Sequence, residues 1–285
     1  MPRPSSKIRP QGQITRGKTA RNRLRRVDNF LCLYDPGLLR KPDNLGEVSY
    51  YVDLGYGDEP FTTLESAKRL RRLNSALPVL GVEIDPERVE RALPFADNLT
   101  SFRLGGFNLP LKTGESARLI RAFNVLRQYE ENEVQESLLV LGEALIPGGL
   151  IIEGTSDPFG RIWVANLLRK RSDGELWVEG LLFSTNFRWG FEPAIFQPRL
   201  PKNFIHRMLP GETIAAFMTA WKQAALATIG MRTLGLRQWF MASAVALAAS
   251  GWPVETRKRP LSQGYLLWKR IGLVRDGALF RDLTV

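Results

Sequence analysis

Short apolar runs alternate with amphipathic segments along most of this chain. Runs such as Tyr51–Leu54 and Val79–Ile84 are mostly apolar and end beside acids or glycines, which is typical of strands buried on both faces of a parallel sheet. Between them, Leu64, Ala67 and Leu70 recur at helical spacing, with basic residues on the other side. Strand, helix and strand in this order predict an α/β fold.

The same pattern predicts further elements downstream. Further strands are predicted at 100–108, 117–126, 150–153, 176–183 and 264–270, and two long helices at 212–229 and 236–250. The apolar run 162–168 is either a strand or a helix. As a strand it would form a hairpin with 176–183 around the polar turn 172–174.

The first strand ends in a glycine turn. Gly55 and Gly57 lack a Cβ, so the backbone turns sharply there and a small molecule can lie against it. A dinucleotide fingerprint has a third glycine where Pro60 stands, and Asp58 and Glu59 would repel a pyrophosphate. The turn therefore favours a ligand with positive charge at this point, and S-adenosylmethionine (SAM) carries both a sulfonium and an ammonium.

Acids and hydroxyls follow the first two strands at informative spacings. Glu83 lies 26 residues after the second glycine of the turn, close to where a Rossmann-like sheet places the acid that binds the ribose hydroxyls. Asp85 with Pro86 predicts a cap for the next helix. Thr62 with Glu65 predicts a capping box for the helix after the glycine turn.

The acid-x-Gly-x-Gly pattern at 53–57 and the Pro-Gly-Gly turn at 147–149 resemble class I SAM-dependent methyltransferases. The resemblance covers about 22–157 and the final strand. It implies a Rossmann-like methyltransferase sandwich: a mostly parallel seven-stranded sheet with an antiparallel last strand and helices on both faces. It also implies SAM as cofactor and S-adenosylhomocysteine (SAH) as product. The cofactor-binding residues that it implies are Asp53, Gly55, Gly57, Glu83, Phe107 and Asn108.

The resemblance also implies where the methyl acceptor binds, beyond the ends of the fourth and fifth strands. Asn124 stands where related enzymes keep acceptor-orienting residues, and Tyr129, Glu153 and Asp157 are the candidates for a base. No Asn-Pro-Pro-aromatic motif follows the fourth strand, which disfavours methylation of base amino groups. The implied function is methyl transfer to an unidentified acceptor, with a small molecule favoured slightly over RNA.

Two other functions remain open. A SAM-binding or scaffolding protein without catalysis would keep the fold and lack turnover. An NAD-binding Rossmann oxidoreductase would keep a similar sheet, but Pro60 and the acidic turn disfavour it.

Charge concentrates at the start of the chain. The formal net charge is +11, and the first 26 residues carry nine Lys/Arg and no acid. This composition predicts a disordered tail at 1–21 before a single methyltransferase-like domain at 22–285, in which 158–210 forms a hairpin and a lid-like insertion. The basic residues at 3–26 would serve as a solvated arm, as a lid near the pocket, or as an arm attracted to RNA or another polyanion.

Cysteine and histidine are scarce. Cys32 and His206 are the single residues of their types, which excludes an internal disulfide and disfavours a metal site. No apolar run approaches the ~20 residues that span a bilayer, and the N-terminus has no signal-peptide pattern. The expectation is a cytoplasmic protein without a membrane partner. Its oligomeric state is open.

Overall fold

A computed structural model describes residues 9–43 and 45–279. In this part of the chain the centre is one eight-stranded sheet in the order β3-β2-β1-β4-β5-β6-β7-β8. The strands are β1 Val48–Leu54, β2 Val79–Glu83, β3 Thr100–Leu104, β4 Glu115–Phe123, β5 Leu145–Ser156, β6 Ile162–Lys170, β7 Leu176–Thr185 and β8 Tyr265–Leu273.

Helices connect and cover these strands. They are α1 Arg25–Tyr34, α2 Pro36–Arg40, α3 Phe61–Leu70, α4 Pro86–Ala92, α5 Glu131–Glu143, α6 Lys202–Ile205, α7 Thr213–Ala227, α8 Leu236–Ala249 and α9 Lys258–Ser262. None of these helices is long and apolar enough to cross a bilayer.

The predicted α/β class is confirmed, with a difference in the second half of the sheet. β1 to β5 pair in parallel, whereas β6, β7 and β8 each pair antiparallel with the strand before them. The described sheet therefore has eight strands rather than seven, although its last strand is antiparallel as expected. The reason is that the two arms at 162–168 and 176–183 are both strands, and they extend the main sheet as β6 and β7.

Two helix starts test the capping predictions. Asp85 caps α4, because its side chain accepts from the backbone N–H of Glu87 at 2.9 Å, and this prediction is confirmed. The capping box of Thr62 and Glu65 is wrong. α3 already begins at Phe61, so Thr62 lies inside the helix and donates its hydroxyl to Asp53 at 2.9 Å.

A separate aromatic core supports the antiparallel half. Phe196 and Phe204, from the segment 187–210, are buried with Trp221 of α7 and Phe240 of α8. This is the segment for which a lid was predicted, and these aromatic side chains pack into the core beside β6 and β7.

The first helix docks on the last strand. Tyr265 of β8 donates its hydroxyl to the Arg26 carbonyl at 2.8 Å, and Arg26 Nη2 donates to the Gln263 carbonyl at 2.7 Å. Phe30 of α1 packs on the Tyr265 ring with a centroid distance of 5.4 Å. α1 thus links elements from opposite ends of the sequence.

Candidate functional site

The strand order places a crevice at the carboxyl end of β1. The chain goes from β1 to β2 and β3 on one side and returns to β4 and β5 on the other. Ligands of open α/β sheets bind at such a switch point. A cavity of about 610 Å³ lies here. Its lining from the ends of β1 and β4 includes Asp53, Gly55, Gly57, Asn124 and Arg127.

Both glycines of the first turn are required by the backbone. Gly55 has φ 70° and Gly57 has φ 91°, a region that side chains disfavour. A Cβ on Gly55 would lie 2.6 Å from Val125 Cγ2, and one on Gly57 would lie 2.4 Å from the Gly17 carbonyl oxygen. The turn is therefore packed against other backbone and side chains on both sides.

Asp53 borders the cavity, but other side chains hold its carboxylate. It is 2% exposed and accepts from the hydroxyls of Thr62 at 2.9 Å and Thr63 at 2.8 Å. Arg121 adds contacts from Nε at 3.1 Å and Nη2 at 2.8 Å. Asp53 therefore fixes the turn to α3 and β4, and its lone pairs are committed within the protein.

Arg121 extends this network to α1. Its Nη1 lies 2.6 Å from Asp28 Oδ1, and Asp28 also pairs with Arg69 of α3 at 2.8 Å. Burial raises the pKa of Asp28, while Arg121 and Arg69 oppose that rise. Burial alone would lower the pKa of Arg121, but Asp53, Tyr51 and Asp28 raise it, so the guanidinium stays charged.

Glu83 joins the end of β2 to the glycine turn. Its Oε2 accepts from the Gly57 N–H at 3.0 Å and its Oε1 from the Ile84 N–H at 2.9 Å. Burial raises the pKa of Glu83, and these hydrogen bonds oppose the rise. Glu83 is thus placed where the resemblance puts the ribose acid.

Arg88 is a charged residue of this region that sequence reasoning missed. Its Nε pairs with Asp58 at 2.9 Å and with Asp85 at 3.4 Å, and its Nη1 lies 3.6 Å from Glu83. The acidic turn is therefore partly neutralised. The spacing of three residues from Asp85 on a helix was the available signal.

The segment 9–18, which we call the strap, crosses the ends of β1, β2 and β3. The Phe107 N–H donates to the Gln11 carbonyl at 2.9 Å, and the Gln11 N–H donates to Asn108 Oδ1 at 2.7 Å. Asn108 Nδ2 donates to the Arg9 carbonyl at 3.0 Å. Of the predicted tail, residues 1–8 lie outside the described residues, and 9–18 lie here.

The strap is attached at its other end too. Arg88 Nη2 donates to the Thr15 carbonyl at 3.0 Å, and the Asp58 N–H donates to the Gly17 carbonyl at 2.9 Å. Beneath the strap only a small cavity of about 20 Å³ is left. Its lining includes Gln11, Gly12, Glu83, Ile84, Phe107 and Tyr129.

The three candidate catalytic residues lie in three different surroundings. Asn124, with φ 62°, lines the large cavity, and its Oδ1 accepts from the Ser156 N–H at 3.0 Å. Tyr129 lines the small cavity instead, where its ring lies 5.2 Å from that of Phe107 and burial raises the pKa of its hydroxyl. Glu153 lines neither of these two cavities.

Glu153 belongs to a buried polar cluster. It is 1% exposed and accepts from Asn166 Nδ2 at 2.8 Å, and Asn166 contacts Asn203 of α6 at 3.0 Å. Burial raises the pKa of Glu153 to about 7. The sheet thus brings Asn124, Gly55 and Gly57 together and holds Glu153 apart.

Comparison with solved structures found matches to the fold of part of this chain. The N-methyltransferase NodS from Bradyrhizobium japonicum WM9, in complex with SAH, matches with 19% identity and a TM-score of 0.32, over 47% of this chain and 62% of that one. A putative sarcosine dimethylglycine methyltransferase from Galdieria sulphuraria matches with 17% identity and a TM-score of 0.34, over 50% and 55%. The [4+2]-cyclase SpnF matches with 18% identity and a TM-score of 0.34, over 46% and 44%.

No protein-family model matches the chain, and no curated protein matches it. The chain spans between 44% and 62% of the length of these three solved structures. Their likeness is one of fold, and the functional argument rests on the residues at the strand ends.

Proposed function

We propose that this protein binds SAM at the ends of β1, β2 and β3 and transfers its methyl group to an acceptor in the large cavity. The observation that carries the proposal is the contact between Glu83 and the Gly57 N–H. It joins an acid at the end of β2 to a glycine turn at the switch point, which suits a ribose with both hydroxyls on Glu83.

The remaining contacts suit the parts of SAM on either side of the ribose. Phe107 lines the small cavity on the side where adenine would lie, Asn108 follows it in the chain, and Asn124 lines the large cavity on the methyl side. Bound there, SAM would supply an activated methyl group to the acceptor's lone pair in that cavity, and SAH would leave with the electron pair of the broken C–S bond. Positioning and exclusion of water supply the catalysis. A small-molecule acceptor and a cytoplasmic location belong to this proposal.

A second candidate is a SAM-binding protein without catalysis. It is favoured by one observation, namely that the predicted bases Tyr129, Glu153 and Asp157 do not line the large cavity. If the acceptor needs no base, this observation does not argue against methyl transfer.

Calorimetric titration with SAM, SAH and NAD tests the proposal. We expect SAM and SAH to bind, Gly55→Arg to abolish binding, and Glu83→Gln to weaken it by about 10-fold through the lost charged hydrogen bonds. The exposed Glu90→Gln on α4 is the matched control, and circular dichroism checks that each variant folds. Binding of NAD alone would reject the proposal. SAM binding without SAH release, across amine, alcohol and acid acceptor pools, would favour the second candidate.

A further inference from the structure

The large cavity is lined by cations that acids do not balance. Arg16, Lys18, Arg23 and Arg127 border it. Asp53 is the one acidic residue in the lining formed by the described residues, and Arg121 already neutralises it. The cavity therefore presents a net positive charge to whatever enters beside the cofactor.

Arg127 lies in this lining with most of its guanidinium donors unused by the described residues. It follows β4 directly, three residues after Asn124, and its Nη1 donates to the Pro198 carbonyl at 2.9 Å. No ion pair joins it to a carboxylate of the described residues. Burial and the neighbouring Arg199 lower the pKa of Arg127. An anion in the cavity would relieve both effects.

Arg23 also lines the cavity, and its guanidinium donates to neutral groups. Its guanidinium donates to the Ser156 hydroxyl at 3.0 Å and to the Ser156 and Asp157 carbonyls, each at 3.2 Å. These are neutral acceptors, and burial lowers the pKa of Arg23. The Asp157 carboxylate opposes that shift, and an anion in the cavity would add to this stabilisation.

We propose that the methyl acceptor is a small molecule with an anionic group, a carboxylate or a phosphate, held by Arg127 with Arg23 also in the cavity lining. This inference rests on the proposed function and adds the chemical class of the substrate. The paired guanidinium donors suit the two oxygens of either group.

Thermal melting of the SAH-saturated protein tests the substrate class with three probes: benzoate, phenyl phosphate and the neutral benzamide. We expect benzoate or phenyl phosphate to raise the melting temperature and benzamide to leave it unchanged. Arg127→Gln should weaken the effective anion by about 10-fold or more, whereas the exposed Arg171→Gln should not.

Several outcomes would overturn this assignment. Equal effects of benzoate and benzamide, no effect of either anion, or no response to Arg127→Gln would each do so. A 10-fold loss of SAH affinity in Arg127→Gln would assign Arg127 to the cofactor carboxylate instead. Binding of a 20-nucleotide RNA in place of the small anions would assign the cations to a polymer. If SAH itself fails to bind the parent protein, the proposed function fails first.

A different observation concerns the strap, whose backbone occupies the place where the adenine ring is proposed to bind. The Gln11 carbonyl accepts from the Phe107 N–H, and the Gln11 N–H donates to Asn108 Oδ1. An acceptor beside a donor is the pattern that adenine presents with N1 and its amino group. The Gln11 backbone is therefore hydrogen-bonded to the Phe107 N–H and to the Asn108 side chain. These are the two residues proposed on the adenine side.

Gly12 fills the space beside that edge. A Cβ on Gly12 would lie 3.3 Å from Ile84 Cδ1, 3.5 Å from Phe107 Cε2 and 3.0 Å from Tyr129 Oη. Its peptide thus lies between side chains that would enclose a planar ring. Because the cavity left beneath the strap measures about 20 Å³, a purine does not fit until the strap moves.

The strap is held by hydrogen bonds of its backbone, most of them to side chains such as those of Asn108, Tyr129 and Arg88. Ile14, its largest apolar residue, is 58% exposed, so the strap buries little apolar surface. Backbone hydrogen bonds contribute little net free energy each, and ordering ten residues opposes them. The closed strap is therefore easily displaced.

We infer that the strap is an intrachain competitor of the cofactor, which binds once the strap leaves the ends of β2 and β3. This inference also rests on the proposed function. Competition raises the apparent dissociation constant by the inverse of the open fraction. Changes that weaken the closed strap should therefore tighten SAH binding without touching the pocket.

Calorimetric titration of full-length variants with SAH tests the competition. Gly12→Val places a side chain against Ile84 and Tyr129 at φ 134°, and Gln11→Pro removes the donor to Asn108. We expect both variants to bind SAH about 5-fold tighter or more. The conservative Ile14→Val, at an exposed strap position, is the control.

Weaker SAH binding in both variants would make the strap a lid that completes the site, and unchanged binding would make it irrelevant. Either result overturns the competition. Absence of SAH binding in the parent and in all variants would instead reject the proposed function.

Discussion

Arg121 on β4 lies beside Asp53 on β1, and its Nη2 is 2.8 Å from Asp53 Oδ2 in a site that water does not reach. The acid that resembles a cofactor ligand in sequence is thus a structural anchor. Through Arg121 the same network reaches Asp28 of α1. The glycine turn is therefore positioned by buried charges from three separate parts of the chain.

Removing that guanidinium should be severe. Arg121→Met leaves Asp28 without its nearest cation and Asp53 without any, so we expect the free energy of unfolding to fall by about 3–5 kcal/mol. Urea denaturation measures this change, and Arg161→Met at the surface is the control. A loss below about 1 kcal/mol would mean that the carboxylates find other partners or protonate.

Gly55 offers a separable test of backbone and packing. Gly55→Ala meets both the strain of φ 70° and the contact with Val125 Cγ2, and we expect it to cost about 2–3 kcal/mol of stability. The pair Gly55→Ala with Val125→Ala removes the contact and keeps the strain. If chemical denaturation shows no coupling between the two changes, the packing argument is wrong.

Glu153 should make stability depend on pH. Its pKa is about 7 in the folded state, above the usual 4.5, so the folded protein holds this proton more tightly than the unfolded chain. The contribution of this proton to the stability of the fold is complete at pH values below the usual pKa. It is lost as the pH rises through about 7.

Glu153→Gln should remove the loss of stability that the parent protein shows as the pH rises. At pH 8 we expect the variant to exceed the parent in stability by up to about 3 kcal/mol, and the difference should shrink toward pH 4. Urea titrations of both proteins from pH 4 to 8 measure it. A difference that stays constant with pH would show that Glu153 is ionised in the fold.

Asn124 should separate binding from turnover. Asn124→Gly keeps the backbone at φ 62° but removes the amide that holds Ser156 and faces the cavity. Once an acceptor is found, we expect kcat to fall by about 10-fold or more through lost positioning, with SAH affinity changed by less than about 3-fold. A change in SAH affinity alone would place Asn124 in the cofactor site.

The elements that sequence patterns predicted are those whose causes are local. The glycine turn, the cap at Asp85 and the strand ending in Glu83 each depend on residues within a few positions of one another. The contact of Gln11 with Asn108 joins residues 97 apart, and that of Arg121 with Asp28 joins residues 93 apart. Hydrophobic periodicity does not predict contacts between residues so far apart in the chain. The strap was therefore predicted as part of a disordered tail.

A similar limit applied to the antiparallel half. The apolar run of β6 fits a strand or a helix equally well, and only pairing with β5 and β7 decides between them. The expectation of seven strands came from the resemblance, and the added strand is β6, whose assignment the sequence left open.

The docking of α1 on β8 determines when α1 can find its place during synthesis of the chain. Arg26 and Tyr265 are 239 positions apart, so a ribosome must add that many residues after Arg26 before α1 has its partner strand. Asp28, which anchors Arg121, is carried on that helix. The pocket is lined mostly by residues from the first half of the chain, yet the helix that carries Asp28 gains its partner strand only once β8 has been made, which favours late and cooperative folding over stepwise folding from the N-terminus.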